Sequence, residues 1–337
     1  MDPRVRGDDT QRRFFMIFKI AALLSDGHFH SGNELGHTTG LSRSGVWKII
    51  KKLQEDYGVV CHTVKGKGYC IPGGLIFLDS TLIQNSLSEK SLSSLSQLEI
   101  LPTIGSTNMY LLSKITHAFT SGHACFAEHQ FSGKGRRGKA WFSPYGCNIF
   151  LSLFWRFSKD VMALQGLTLA MAVAVVRALT RYGVVGAQIK WPNDIYVQGK
   201  KLAGILVELH AVADVETSVV IGVGLNVAMP ILSENYVDQP FTDVATIMRV
   251  VPDRNKLAGF LLDALLEMCQ AFSHNPFFAF KETFEHCDML RGSEVTVMLG
   301  NENISGIAEG VDEYGALCVR VDGVVRSFHS GSVSLKK

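Results

Sequence analysis

Four cations and three glycines fall within seven residues, Gly133-Lys134-Gly135-Arg136-Arg137-Gly138-Lys139, with Gln130 ahead of them and Trp141 just after. Like charges this close repel one another, so the loop is expected to be poorly ordered until a polyanion relieves the repulsion. Glycines let backbone N–H groups approach such a ligand closely. Arg136 and Arg137 offer planar forks to phosphate oxygens, and Lys134 and Lys139 add point charges. The segment reads as a phosphate-binding loop, against the alternatives of a solvated charge run or a nucleic-acid patch. It also fits G-x-x-x-x-G-K. However, Ala140 stands where the Mg²⁺-binding hydroxyl belongs, and Trp141 and Pro144 follow where a helix should start, so the P-loop reading fails.

Two further constellations carry chemistry. Ser106-Thr107-Asn108 lies at the expected start of a helix, where small polar side chains either cap the helix or hold a compact polar ligand. Lys190 stands alone between apolar residues ahead of a turn at Pro192 and Asn193, and a buried lysine needs an anion: Asp194 or a ligand. Gly204 and Gly224 interrupt strand-like runs, which permits a flat ligand or a close backbone approach. Gly222-Val-Gly224-Leu-Asn226 is weak as a glycine motif because no helix opens after it.

The elements that position these residues follow in order. Residues 1–12 read as a disordered leader. Phe14 to Leu24, a short helix opened by the capping-box spacing of Ser31 and Glu34, and a longer helix from Ser42 to Leu53 make a helix-turn-helix. A hairpin follows with Lys65 and Lys67 at its tip, so residues 13–74 form a winged helix. Over residues 41–68 six cations face two anions, an excess that suits DNA phosphates. Ser42, Arg43, Ser44 and Lys48 are the candidate groove contacts, and Trp47 is assigned to the domain core. Gly45 counts mildly against DNA reading, since it weakens that helix. A winged helix used only for packing or protein contacts is the competing reading.

Seven serines in the seventeen residues from Ser80 to Ser96 mark a linker, 75–97, with a helical turn at Ser80 to Leu87. A mixed-sheet α+β domain is expected over 98–288, with a long apolar helix near Gln165–Tyr182. Five short strands over 289–337, with turns at Gly300, Gly315 and Asp322-Gly323, read as an SH3-like barrel. Seven scattered cysteines without a C-x-x-C pair indicate reduced thiols and no zinc; Cys61, His62 and Cys70 lack metal-site spacing. The net charge of +2 requires any nucleic-acid binding to come from a local patch. No signal peptide is visible, and the apolar helix at 164–179 is judged too short to span a bilayer, so the expected location is cytoplasmic, away from membranes.

Taken together, Ser106-Thr107-Asn108, the Gln130 to Trp141 loop, Lys190-Trp-Pro-Asn-Asp194, Lys201-Leu-Ala-Gly-Ile-Leu-Val-Glu208 and Gly222 to Asn226 resemble the bifunctional biotin–protein ligases that also act as biotin operon repressors. The resemblance runs from about residue 14 to 336 and implies a two-step reaction. Biotin and ATP give biotinyl-5′-adenylate and pyrophosphate with Mg²⁺, and a lysine of the biotin carboxyl carrier protein of acetyl-CoA carboxylase then takes the biotinyl group. It implies biotin contacts from Ser106, Thr107, Asn108, Gln130, Gly133, Lys134, Gly135, Arg136, Lys190 and Gly204. Nucleotide contacts would come from Arg136, Arg137, Trp141, Asn193 and Asn226, and the catalytic cations would be Lys190, Arg136 and Lys134. It further implies an adenylate-induced homodimer on operator DNA. The family's loop usually reads Gly-Arg-Gly-Arg-Arg-Gly, and Lys134 replaces its first arginine, which loses a bidentate fork. A biotin-sensing transcription factor without catalysis and a lipoate-type ligase are the alternatives.

Overall fold

A computed structural model describes residues 15–213, 216–230, 233–234, 236–300 and 302–335. The expected leader at 1–12 lies outside them.

The amino-terminal unit has the expected winged-helix plan. Helix α1 (15–23) is followed by α2 (Gly32–Thr39), which opens on the Ser31/Glu34 capping box and stops at Gly40 in the left-handed conformation. Helix α3 (Arg43–Glu55) buries Val46, Ile49, Ile50 and Leu53, a stripe of helical period, against α1 and α2. The wing is β1 (His62–Val64) paired antiparallel with β2 (Gly68–Cys70). Trp47 corrects the sequence reading. It lies outside the buried stripe and is 52% exposed.

The serine-rich segment has the helical turn expected near Ser80, but it is more ordered than a linker. It forms α4 (Ser80–Gln84) and α5 (Glu89–Ser94), which pack on α9 (Arg254–His274). Ser88 caps α5, and both its N–H and its hydroxyl donate to the buried Asp263 carboxylate at 2.9 and 2.8 Å. Ile83 is fully buried. Serines that would suit a linker here serve as caps and hydrogen-bond donors.

The central unit is a seven-stranded sheet in the order β3 (Gln97–Leu101), β4 (His123–Ala127), β5 (Ile149–Phe157), β9 (Glu216–Leu225), β8 (Lys200–Ala213), β7 (Asp194–Val197), β6 (Ala187–Lys190). Only β3 and β4 run parallel, and α6 (Thr107–Lys114) lies in their crossover. Helix α7 (Leu167–Tyr182) is apolar nearly all round because it packs between the sheet and α9. With the 3₁₀ turn before it, Met162–Tyr182 is long and apolar enough to cross a membrane by length and composition, which corrects the expectation from length; most of it is buried in the protein core. Helices α8 (Val244–Met248) and α10 (Phe278–Cys287) complete the unit.

The last unit is an antiparallel five-stranded sheet in the order β13 (Val324–Phe328), β12 (Leu317–Val321), β11 (Glu302–Val311), β10 (Glu294–Leu299), β14 (Ser332–Leu335). Asp322 and Gly323 both take positive φ, the geometry of a tight hairpin turn, as the Asp-Gly pair implies. This unit is tied to the sheet by Trp191, whose indole N–H donates to Gly315 O at 3.0 Å.

Candidate functional site

A cavity of about 710 Å³ opens over the middle of the large sheet. One wall is the start of α6, another the basic loop, a third the Lys190–Asp194 turn, and the outer rim is β14.

At the inner end is a buried polar network. The Thr107 N–H and hydroxyl both donate to Gln130 Oε1, at 2.9 and 3.2 Å, and Gln130 Nε2 donates to Ser143 Oγ at 3.3 Å. Ser152, fully buried on β5, donates to Thr107 Oγ1 and Asn108 Oδ1. Asn108 Nδ2 donates to Leu206 O and to Glu208 Oε2 at 2.7 Å. This network fixes the side chains before any ligand arrives. Asn108 is thereby largely used by the protein itself, and a Cβ on Gly222 would sit 2.2 Å from its Oδ1. Ser106 is the N-cap residue, yet its hydroxyl does not cap the helix, which leaves it for a ligand.

The outer end is cationic. Among its lining residues Lys134, Arg136, Arg137, Lys139, Lys190 and Lys201 face two carboxylates, Asp194 and Asp238, so the cavity selects an anion. Arg136 Nη1 donates to Asn193 Oδ1 at 3.3 Å, and Arg137 reaches Ser332 Oγ on β14 at 3.3 Å. Burial, with Arg137 adding to it, holds the Arg136 guanidinium below its usual pKa. Lys190 lies over the Tyr196 ring at 5.1 Å, and burial lowers its pKa while Asp194 opposes the shift. Of the two partners left open for Lys190, Asp194 is already in an ion pair with Lys201 at 2.8 Å. Among the described residues Lys190 has no ion-pair partner.

The basic loop folds over this cavity with a single 3₁₀ turn at Arg136–Gly138. Arg137 adopts φ 55°, a strained choice for a residue with a side chain. Trp141 lies against the sheet where it has no side chains: Cβ atoms on Gly204 and Gly224 would come within 2.9 and 2.5 Å of the indole. Its Nε1 is buried without a partner. The loop's base abuts the winged helix. Tyr145 N–H donates to Tyr57 O at 2.9 Å, and the Tyr57 ring lies 4.7 Å from that of His129.

Twelve of the residues singled out for ligand binding line the cavity, from Ser106 to Gly204. Two do not. Gly133 is packed under Trp141 O and Ser143 Oγ, and Asn226 donates its amide to Thr242 O. Sequence reasoning did not pick out Ser152, Glu208, the Asp194–Lys201 pair or Ser332. Glu208 and Lys201 stood inside a quoted motif, whereas nothing in the sequence marks Ser152 or Ser332. In the winged helix, Arg43, Ser44, Lys48, Lys65 and Lys67 are exposed as expected. The Ser42 hydroxyl accepts from Gly45 N–H at 3.1 Å and serves as the helix cap.

A model of the biotin/lipoate A/B protein ligase family matches residues 100–226, the biotin protein ligase C-terminal domain matches 291–336, and an HTH domain matches 17–70. The chain is 38% identical to the bifunctional ligase/repressor BirA of Escherichia coli over 94% of its own length and 96% of that relative's. It belongs to the BirA family of bifunctional ligase/repressors. The BirA of Bacillus subtilis is 28% identical over 91% of this chain. The biotin protein ligase from Aquifex aeolicus, solved in complex with biotin and ATP, superposes with a TM-score of 0.61 at 26% identity, covering 72% of this chain and 99% of that one. In this chain an HTH domain and a biotin/lipoate ligase domain share one polypeptide.

Proposed function

We propose that this chain activates biotin with ATP, passes the biotinyl group to a lysine of the biotin carboxyl carrier protein of acetyl-CoA carboxylase, and represses biotin synthesis genes through its winged helix. The observation that carries the reading is the cavity itself, in which a preset hydroxyl and amide network meets six cations.

The ureido head of biotin is assigned to Ser106, Thr107 and Gln130, with Asn108 holding the wall behind them. Its carboxylate faces Lys190, which has no ion-pair partner among the described residues. Carboxylate and triphosphate repel, so the cations must bring them together in a site shielded from water. The carboxylate oxygen attacks the α-phosphorus, the bond to the β-phosphate oxygen breaks, and pyrophosphate leaves. Lys190, Arg136 and Lys134 stabilise the charge that builds during this step. A neutral lysine of the carrier protein then attacks the acyl carbon, and AMP departs. No side chain of this chain forms a covalent intermediate. Trp141 and the loop cover the anhydride and keep water from it.

Mg²⁺ bound with the triphosphate would neutralise part of its charge. Asp194 fits as a protein contact, because its Oδ1 is buried without a hydrogen-bond partner. Adenylate binding is further assigned to favour a homodimer that presents two winged helices to a two-fold operator. The site of action is the cytoplasm, where ATP and the carrier protein are found.

Incubation with ATP, Mg²⁺, biotin and an isolated carrier domain, read by mass spectrometry, tests the ligase role. One biotinyl group on one lysine is expected. An unmodified carrier domain, with biotin bound but no adenylate formed, would favour the non-catalytic sensor.

A further inference from the structure

Given the repressor role proposed above, we propose that Trp47 is a base-reading residue of the recognition helix, making an apolar contact with the C5-methyl of a thymine in the major groove of duplex DNA.

The starting observation is a large side chain with no structural task. Val46, Ile49, Ile50 and Leu53 complete the buried stripe of α3, and Trp47 falls roughly 100° away from Val46 around the helix. Half of it is open to solvent. Its neighbours on that face are Arg43 and Ser44, one turn before, and Lys51, one turn after, with Lys48 beside it; all are exposed. The Lys51 ammonium lies 5.7 Å from the indole centroid.

Charge identifies the occupant. Lys51 and Lys52 are matched by Glu55 and Asp56, at 3.5 and 2.8 Å. The local excess therefore resides in Arg43 and Lys48 on the helix and Lys65 and Lys67 on the wing. None of these four makes an ion pair among the described residues. Arg43 and Lys48 flank Trp47 along the helix, and Lys65 and Lys67 stand at the tip of the wing, cations suited to grip phosphates while a neighbouring side chain enters the groove. A surface meant for a second protein would not surround its one aromatic anchor with unpaired cations. In the major groove the apolar feature on offer is the thymine methyl, and an aromatic side chain is suited to meet it. The Ser42 hydroxyl, held in the helix cap, is left out of this reading surface.

The test begins with selection from a random duplex pool by the full-length chain, saturated with biotin and Mg²⁺–ATP. The consensus duplex so obtained is the probe. Replacing each thymine by deoxyuridine removes one methyl at a time. At one thymine per half-site the wild type is expected to lose roughly three- to tenfold in affinity. Trp47→Ala is expected to bind both duplexes alike, with an unchanged salt slope because no phosphate contact is lost. Trp47→Phe should recover part of the discrimination. Thermal melting should place both variants close to wild type, since the indole packs in no core. If Trp47→Ala distinguishes thymine from deoxyuridine as well as the wild type does, this inference fails while the repressor role stands. If the wild type selects no consensus at all, the repressor role itself falls, and this inference with it.

Discussion

Lys201 Nζ sits 2.8 Å from Asp194 Oδ2, so the nearest carboxylate to Lys190 is already engaged from the neighbouring strand. Lys190 is left half-buried over Tyr196 with its pKa pressed down by burial. An ammonium held this way is not locked into an ion pair and is available to an incoming anion.

Lys190→Met should therefore separate stability from chemistry. The melting temperature is expected to hold or rise, because an unpaired cation is replaced by an apolar chain of similar length. The rate of biotinyl-adenylate formation is expected to drop by roughly 10²- to 10³-fold, the range for losing one preset charge-stabilising group. A melting temperature that falls by many degrees would mean that Lys190 has a structural partner after all.

Two glycines two residues apart on β9 should behave differently. A methyl at Gly222 would meet Asn108 Oδ1 at 2.2 Å, and Asn108 is tied to Leu206, Glu208 and Ser152. Gly222→Ala should cost about 1–3 kcal/mol of stability in urea unfolding. For a methyl at Gly224 the nearest atoms belong to the Trp141 indole, which is part of the loop. Gly224→Ala should leave stability near wild type and shorten the residence time of the adenylate. Equal stability losses in the two variants would contradict this division.

His129 makes the contact with the winged helix sensitive to acid. Burial holds its pKa down at about 4, against an ordinary value of 6.5, although Asp56 pulls the other way. The folded state thus binds fewer protons than the unfolded chain between those two values. Stability should fall as pH drops from 6.5 towards 4, with a slope approaching about 1.4 kcal/mol per pH unit from this group. His129→Asn should remove that portion of the slope in chemical denaturation at successive pH values. An identical pH profile in the variant would sink the assignment.

Lys134 keeps its charge at a position where the family's loop usually has arginine, and it lines the cavity. Lys134→Arg should slow the release of biotinyl-adenylate by roughly three- to tenfold, because a planar fork replaces a point charge. Activity itself is expected to survive with lysine. An off-rate unchanged by the swap would show that this residue does not hold the adenylate.

Where one local stretch determined the outcome, the sequence was legible. The glycine–cation loop, the Ser106–Asn108 turn, the capping box at Ser31 and the Asp322-Gly323 turn each carry their geometry in adjacent residues, and each is found where expected. What could not be read depends on partners far along the chain. Serine-rich composition reads as a linker until Asp263, 175 residues on, accepts from Ser88. Arg137 meets Ser332 across 195 residues, so the place of the last sheet at the cavity rim is not visible locally. Trp47 was misplaced because a tryptophan is ordinarily worth burying, and no local rule says which face of α3 will be left open. Asn226 has the side chain of a ligand contact, but its amide is spent on Thr242 O.

Biotin-dependent exchange of radiolabelled pyrophosphate into ATP tests the central claim most directly, since it needs only the first chemical step and no carrier protein. Exchange is expected with biotin, with none when lipoate replaces it, and Arg136→Ala should nearly abolish the signal. No exchange with biotin, or equal exchange with lipoate, would contradict the account.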